Sequence, residues 1–157
     1  MLRGINESDA EDLFINFSNK KLMAYYGSER MENLEEARGL IHAFKDNFNE
    51  EKGVRWGIQL KGDRRLIGTI GFHAWSTKHK RAEIGYELHP DFWGRGYARE
   101  AAEAALAYAF AKMGLERMGA VVFFENNSSY RILENIGFKR EGILRKSIIQ
   151  HGVSYDT

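Results

Sequence analysis

The sequence has no cysteine and a single proline, Pro90. Without thiols there are no disulfides and no thiolate metal site, a composition that fits a reducing compartment. The five histidines lack ligand spacing, so no metal is expected. Charge of one sign is also lacking: the net charge of +1 makes no field that would argue for nucleic acid or a membrane surface as partner. No apolar run approaches the length of a membrane span. The first residues, MLRGINESDAEDLF, are charged early and carry no apolar leader core, so the expected location is the cytoplasm. What remains is a chain of 157 residues with 43% hydrophobic content, enough for one domain with a real core, expected to span residues 1–157.

Periodicity divides the chain into an all-helical start and a mixed remainder. Ser8 and Glu11 have the spacing of a capping box, and Ala10, Leu13, Phe14 and Phe17 follow at helical intervals. Asn33 and Glu36 repeat that signal before Leu34, Ala37, Ile41, Phe44 and Phe48. The intervening KKLMAYYGSER has no clear period and reads as a short helix or a loop over a site. From Val54 the pattern alternates, through turn residues 61–64, into LIGTIGFHAW, so residues 54–75 are expected to form a hairpin. Ala82, Ile84, Tyr86 and Leu88 mark a third strand that ends at Pro90. Residues 97–112 predict a helix with an alanine face suited to close packing, stopped at Gly114. GAVVFFE, residues 119–125, reads as a strand buried on both faces, NNSSYRILENIGF as a capped helix, and ILRKSIIQ as a closing strand before a turn at His151-Gly152. Strand, helix, strand from 81 to 125 implies a right-handed crossover and a parallel pair. The fold class is therefore α/β, with a mixed sheet and helices on both faces.

Between the third strand and the long helix stands HPDFWGRGYAREA, with Gly94 and Gly96 at the mouth of the helix. Glycine costs conformational entropy, so its presence there asks for a reason. The Walker phosphate loop, G-x-x-x-x-G-K-[ST], is not matched. The dinucleotide fingerprint G-x-G-x-x-G fails at its third glycine, where Arg99 stands. Two readings remain on the loop alone. One is a turn that merely aims the helix. The other is an anion cradle in which the free amides of residues 95–99 and the helix dipole meet a pyrophosphate.

The stretch AEIGYELHPDFWGRGYAREA resembles the central block of the GCN5-related N-acetyltransferase (GNAT) superfamily. That motif is Gln or Arg, two residues, glycine, one residue, then Gly or Ala. It falls on Trp93, Gly94, Arg95, Gly96, Tyr97 and Ala98, with Trp93 departing at the first position. A second block agrees: Asn126, Ser129, Leu133, Gly137 and Phe138 resemble the N-x-x-S-x-x-x-L-x-x-x-G-F segment of the same superfamily. The pair is most similar to the branch of ribosomal-protein alanine and serine N-acetyltransferases. The resemblance implies a mostly antiparallel central sheet with one splayed parallel pair. It also implies a longer first strand than MLRG supplies and one strand more than the closing VSYDT.

The resemblance implies transfer of an acetyl group from acetyl-coenzyme A to a primary amine by direct attack. On this reading Gly94, Arg95, Gly96, Tyr97, Ala98 and Arg99 hold the pyrophosphate, with charge from Arg95 or Arg99 as an addition. Leu88 and His89 offer backbone to the pantetheine arm and a donor to the thioester oxygen. Asn126 falls where the branch contacts coenzyme A and Ser129 where it places a serine near the sulfur, although both residue types also cap helices. Leu133 stands where some relatives carry a tyrosine acid, and Tyr130 is a spare. Glu83, and less so Glu87, alternate with the apolar positions and are expected to face the acceptor as base or amine anchor, unless that face is simply solvated. Met23, Tyr25 and Tyr26 lie where the family builds its acceptor pocket. The leading acceptor is a protein N-terminus. A small amine, amino acid or antibiotic, and a non-catalytic acyl-coenzyme A sensor, are the alternatives, and a homodimer stays open.

Overall fold

The computed structural model describes all residues, Met1–Thr157. A five-stranded sheet runs in spatial order β1 (Leu2–Arg3), β2 (Val54–Gln59), β3 (Leu66–Ser76), β4 (Arg81–Leu88) and β5 (Arg117–Gly119). The first four strands are antiparallel, and β5 joins β4 in parallel. On one face lie α1 (Ala10–Ser18), α2 (Lys20–Met23) and α3 (Leu34–Asn49); on the other lies α4 (Tyr97–Ala111), followed by α5 (Asn127–Asn135). A hairpin of β6 (Ile148–Gln150) and β7 (Val153–Tyr155) forms a separate small sheet. The mixed α/β class and the helices on both faces are as the sequence implies.

Two cores follow from this layering. Ile58, Ile70, Phe72, Ala82, Ile84 and Leu88 meet the alanine face of α4, where Ala102, Ala105 and Ala109 are fully enclosed. Small side chains let the helix axis approach the sheet and leave the volume to the strand residues. Leu13, Phe17, Met23, Ala37, Ile41 and Leu66 fill the other core, between α1, α2, α3 and the start of β3.

Several local expectations need correction. The capping box lies two residues upstream of the Ser8–Glu11 reading. Asn6 accepts from the Ser8 amide at 3.1 Å, and the Asp9 carboxylate accepts from the Asn6 amide at 2.9 Å. Asp9 is buried and is also gripped by Arg3 of β1 at 2.7 Å, so a tertiary ion pair decides which acid serves the cap. Residues 119–125 are not a strand buried on both faces: pairing stops at Gly119, Val121 and Phe124 are exposed, and Phe123 alone is enclosed. Past Gly119 the segment swings away from β4, and its one ladder-like bond is from the Phe124 amide to the Asp156 carbonyl, 3.1 Å. The closing strand is likewise only Ile148–Gln150, and VSYDT supplies its hairpin partner across a turn in which His151 and Gly152 both have positive φ.

Candidate active site

The glycine loop has the geometry of an open cradle. Gly94 and Gly96 sit at φ 72° and 82°, the left-handed region that favours glycine. Gly96 is the N-cap of α4 and offers no side-chain cap. No amide of residues 94–99 donates a hydrogen bond to the rest of the protein. A helix start left uncapped on the surface, with its positive dipole end exposed, is ready for an anion. The Arg95 guanidinium lies 5.8 Å over the Phe92 ring and has no acidic partner, whereas Arg99 is paired with Glu103 one turn on at 2.9 Å. Of the two expected auxiliary cations, Arg95 is thus the freer. Tyr97 packs towards Phe92 at 6.4 Å, and Ala98 continues the first turn of α4.

The end of β4 leads into this loop. His89 donates its amide to Ile67 of β3 at 2.7 Å, so it is not available as the thioester donor expected of it. Antiparallel alternation then turns the Leu88 N–H and C=O away from β3, towards the gap beside β5. Leu88 is the residue whose backbone faces that gap, and its carbonyl takes a 2.7 Å bond from the Trp93 indole. Trp93, which replaces the family's Gln or Arg, thereby ties the glycine loop to the strand end. The His89 ring has a local task, accepting from the Asp91 amide at 3.3 Å.

Because β4 and β5 pair only from Arg81 to Glu83, the strands separate beyond that point. A cleft of about 870 Å³ opens there. Tyr25, Tyr26, Phe44 and Trp75 are among its walls, and Glu83, Tyr86, Asn126 and Ser129 all reach it. The structure thus brings Glu83, Asn126 and Ser129 to one cleft. Asn126 caps α5 and accepts from the Ser129 amide at 3.3 Å, while its Nδ2 donates to the Ser129 hydroxyl at 3.0 Å. Glu83 lies opposite His73 across the β3–β4 ladder, Nε2 to carboxylate 3.3 Å, with both side chains partly exposed. Tyr130 does not join the group: its hydroxyl is directed at the Val122 carbonyl, and its ring lies 4.1 Å beneath the Arg140 guanidinium.

Glu87 is not an acceptor-facing base. It is 5% exposed and locked to Arg55 and Thr69. Arg55 reaches it by crossing the sheet over Gly71 and Gly85, giving Nε to Thr69 at 2.7 Å and Nη1 to the Gly85 carbonyl at 2.9 Å. A Cβ on Gly71 would meet the Val54 carbonyl oxygen at 2.0 Å and the Arg55 Cδ at 2.8 Å, so only glycine fits beneath both the neighbouring strand and the arginine. The Arg55 guanidinium lies 5.9 Å from the Phe44 ring centroid. Burial pushes the nearby Tyr26 phenol up to about 12. Sequence reasoning missed this floor of the cleft. Its available signal was the pair of strand glycines, Gly71 and Gly85, which mark a close approach by another group.

Splayed strands, a bare helix start and a cleft whose mainly apolar walls carry Glu83, Asn126 and Ser129 suit a thioester carrier and an amine acceptor. Residues 1–139 match the family model for the acetyltransferase (GNAT) domain. The chain is 47% identical to an uncharacterized N-acetyltransferase, YoaA, of Bacillus subtilis, covering 100% of this chain and 89% of that protein. It is 26% identical to the spermidine N(1)-acetyltransferase of Vibrio cholerae, over 96% of this chain and 85% of that one. The crystal structure of a GNAT-family acetyltransferase from Bacillus anthracis superposes with a TM-score of 0.84 at 32% identity, covering 99% of this chain and 89% of the other. The chain belongs to the GNAT acetyltransferase family. It is an N-acetyltransferase with acetyl-coenzyme A as its co-substrate, and its unbonded loop amides fit the pyrophosphate of that molecule.

Proposed function

We propose that the acceptor is the α-amino group of a protein or peptide N-terminus, acetylated by direct attack on acetyl-coenzyme A in a ternary complex. The observation that carries this reading is the charge inventory of the cleft. Glu83 is its only carboxylate, against Lys52, Arg55 and His73. One negative site suits one ammonium group: Lys52 and Arg55 are already paired with Glu50 and Glu87, and the cleft offers no second carboxylate to a polyamine that carries several charges. The open aromatic walls leave room for a chain that continues out to solvent.

In this mechanism the amides of residues 94–99 hold the pyrophosphate, the Leu88 N–H polarises the thioester oxygen, and Asn126 fixes Ser129 beside the sulfur. Glu83, with His73 at 3.3 Å, receives the proton that the amine loses. An α-amine with pKa near ~8 needs little help, so a moderately placed carboxylate suffices. A small polyamine is the second reading, favoured by the relative that bears the spermidine name. Thiol release measured with N-terminal peptides and with polyamines, followed by mass analysis of the product, separates the two. Turnover confined to polyamines would overturn the first reading; binding of acetyl-coenzyme A without turnover on any amine would favour a sensor.

A further inference from the structure

One buried polar group in the cleft has no partner. The Tyr86 hydroxyl is the only enclosed side-chain N or O atom in the protein without a hydrogen bond. Phenylalanine would fill the same volume without that cost, since native proteins keep few such orphans. Tyr86 stands on β4 three residues beyond Glu83, where pairing with β5 has ended, and it lines the cleft beside Ser129, Asn126 and Leu133. The Ser129 oxygen accepts from Asn126, which leaves the serine proton free to be donated elsewhere. Two hydroxyls therefore meet at the splay: Ser129 lies close enough to act on the Tyr86 phenol, and neither donates to a carbonyl or carboxylate of the protein. Leu133, where relatives carry a tyrosine acid, supplies none.

We propose that the Tyr86 hydroxyl is a catalytic hydrogen-bond donor to the sulfur of the coenzyme, acting with Ser129 as the carbonyl–sulfur bond breaks. The assignment rests on the acetyl transfer proposed above. The amine nitrogen bonds to the carbonyl carbon, the carbon–sulfur pair of electrons stays on sulfur, and the amine proton passes to Glu83. The thiolate leaves hydrogen-bonded to Tyr86 and takes its proton from solvent on release. Burial raises the Tyr86 phenol above its ordinary range, with Ser129 offsetting only part of the rise, while a coenzyme thiol ionises near ~8.5. Tyr86 thus donates a hydrogen bond without surrendering its proton.

The test compares coenzyme A with desulfo-coenzyme A by calorimetry at pH ~9, where the thiol is ionised. Wild type is expected to prefer coenzyme A by about tenfold, the usual strength of one hydrogen bond to a charged group. Tyr86→Phe should reduce that preference to within about twofold, leave the affinity for desulfo-coenzyme A unchanged, and lower kcat about tenfold with little change in KM. Ser129→Ala should reduce the preference in part. A preference that survives Tyr86→Phe overturns the assignment. Wild type that binds both compounds equally also overturns it while leaving the phosphate cradle intact; failure to bind either removes the cradle and this inference together.

Discussion

On its β3 side, β4 buries Glu87 against Thr69 and Arg55, and the His89 amide is spent on Ile67. On its β5 side the same strand leaves the Leu88 N–H facing a gap and the Tyr86 hydroxyl without a partner. In the first region Arg55, Thr69, Glu87 and the His89 amide all have hydrogen-bond partners. The second is under-bonded in the same residues' width and runs directly into a glycine loop whose amides are also free. Hydrogen bonding is complete on one side of the strand, and the proposed ligand contacts fall where it has been withheld. The donors that the fold leaves unused are the ones proposed to hold acetyl-coenzyme A.

The comparison breaks most visibly at Glu87. Glu87→Leu strands the Arg55 charge in the interior and should cost about 3–5 kcal/mol, lowering Tm by roughly 10 °C, while acetyl-coenzyme A affinity stays within about twofold. Thermal unfolding and calorimetry check both halves; a large loss of affinity without loss of stability would erase the division between the two regions. Glu83→Gln belongs to the open side and should do the reverse. Its Tm is expected to hold, and kcat/KM to fall by about a hundredfold or somewhat less, since an α-amine is already partly neutral. The deficit should shrink above pH ~8, where the acceptor no longer needs a base.

Smaller effects sharpen the same contrast. Gly96→Ala forces a side chain into the left-handed region, at about 1–2 kcal/mol, and should weaken acetyl-coenzyme A about tenfold by tilting the loop amides. The least effect is expected at Asp9. Burial pushes its carboxyl up, but hydrogen bonds from Arg3 and Asn6 outweigh this and hold it below the ordinary range. A depressed folded-state value means stability that is present above pH ~4 and lost as pH falls through the folded value. Asp9→Asn should cost about 1 kcal/mol at pH 7 and flatten the acid limb of the unfolding curve, read by circular dichroism.

Long periodic elements were legible in the sequence. The alternation of residues 54–59 and 81–88, the alanine face of α4 and the Asn33–Glu36 cap of α3 all stand as the pattern implies. Two-residue β1 was not, because it is too short to carry a period and exists through its pairing with Ile58 and Gly57. The strand read into GAVVFFE failed because an apolar run says nothing about whether a neighbouring strand is within bonding distance, and here it does not report burial either, since Val121 and Phe124 are exposed. In the proposed site, the glycine loop was legible because a motif fixes it locally, and Gly94 and Gly96 do take the left-handed conformation. The commitment of Glu87 and the His89 amide, and the orphaned Tyr86, depend on the cross-strand register, which alternation along a single strand does not encode. Arg55 was missed for the same reason: its partners lie 14 to 32 residues away on two other strands.

The measurement that bears most directly on this picture is amide hydrogen exchange at residues 94–99, followed by NMR with and without acetyl-coenzyme A. Fast exchange in the free protein, slowed at least about tenfold at these positions by the coenzyme, is the predicted result. Amides that are protected before the coenzyme is added, or that exchange as fast after it binds, would contradict the claim that the fold holds them open for its pyrophosphate.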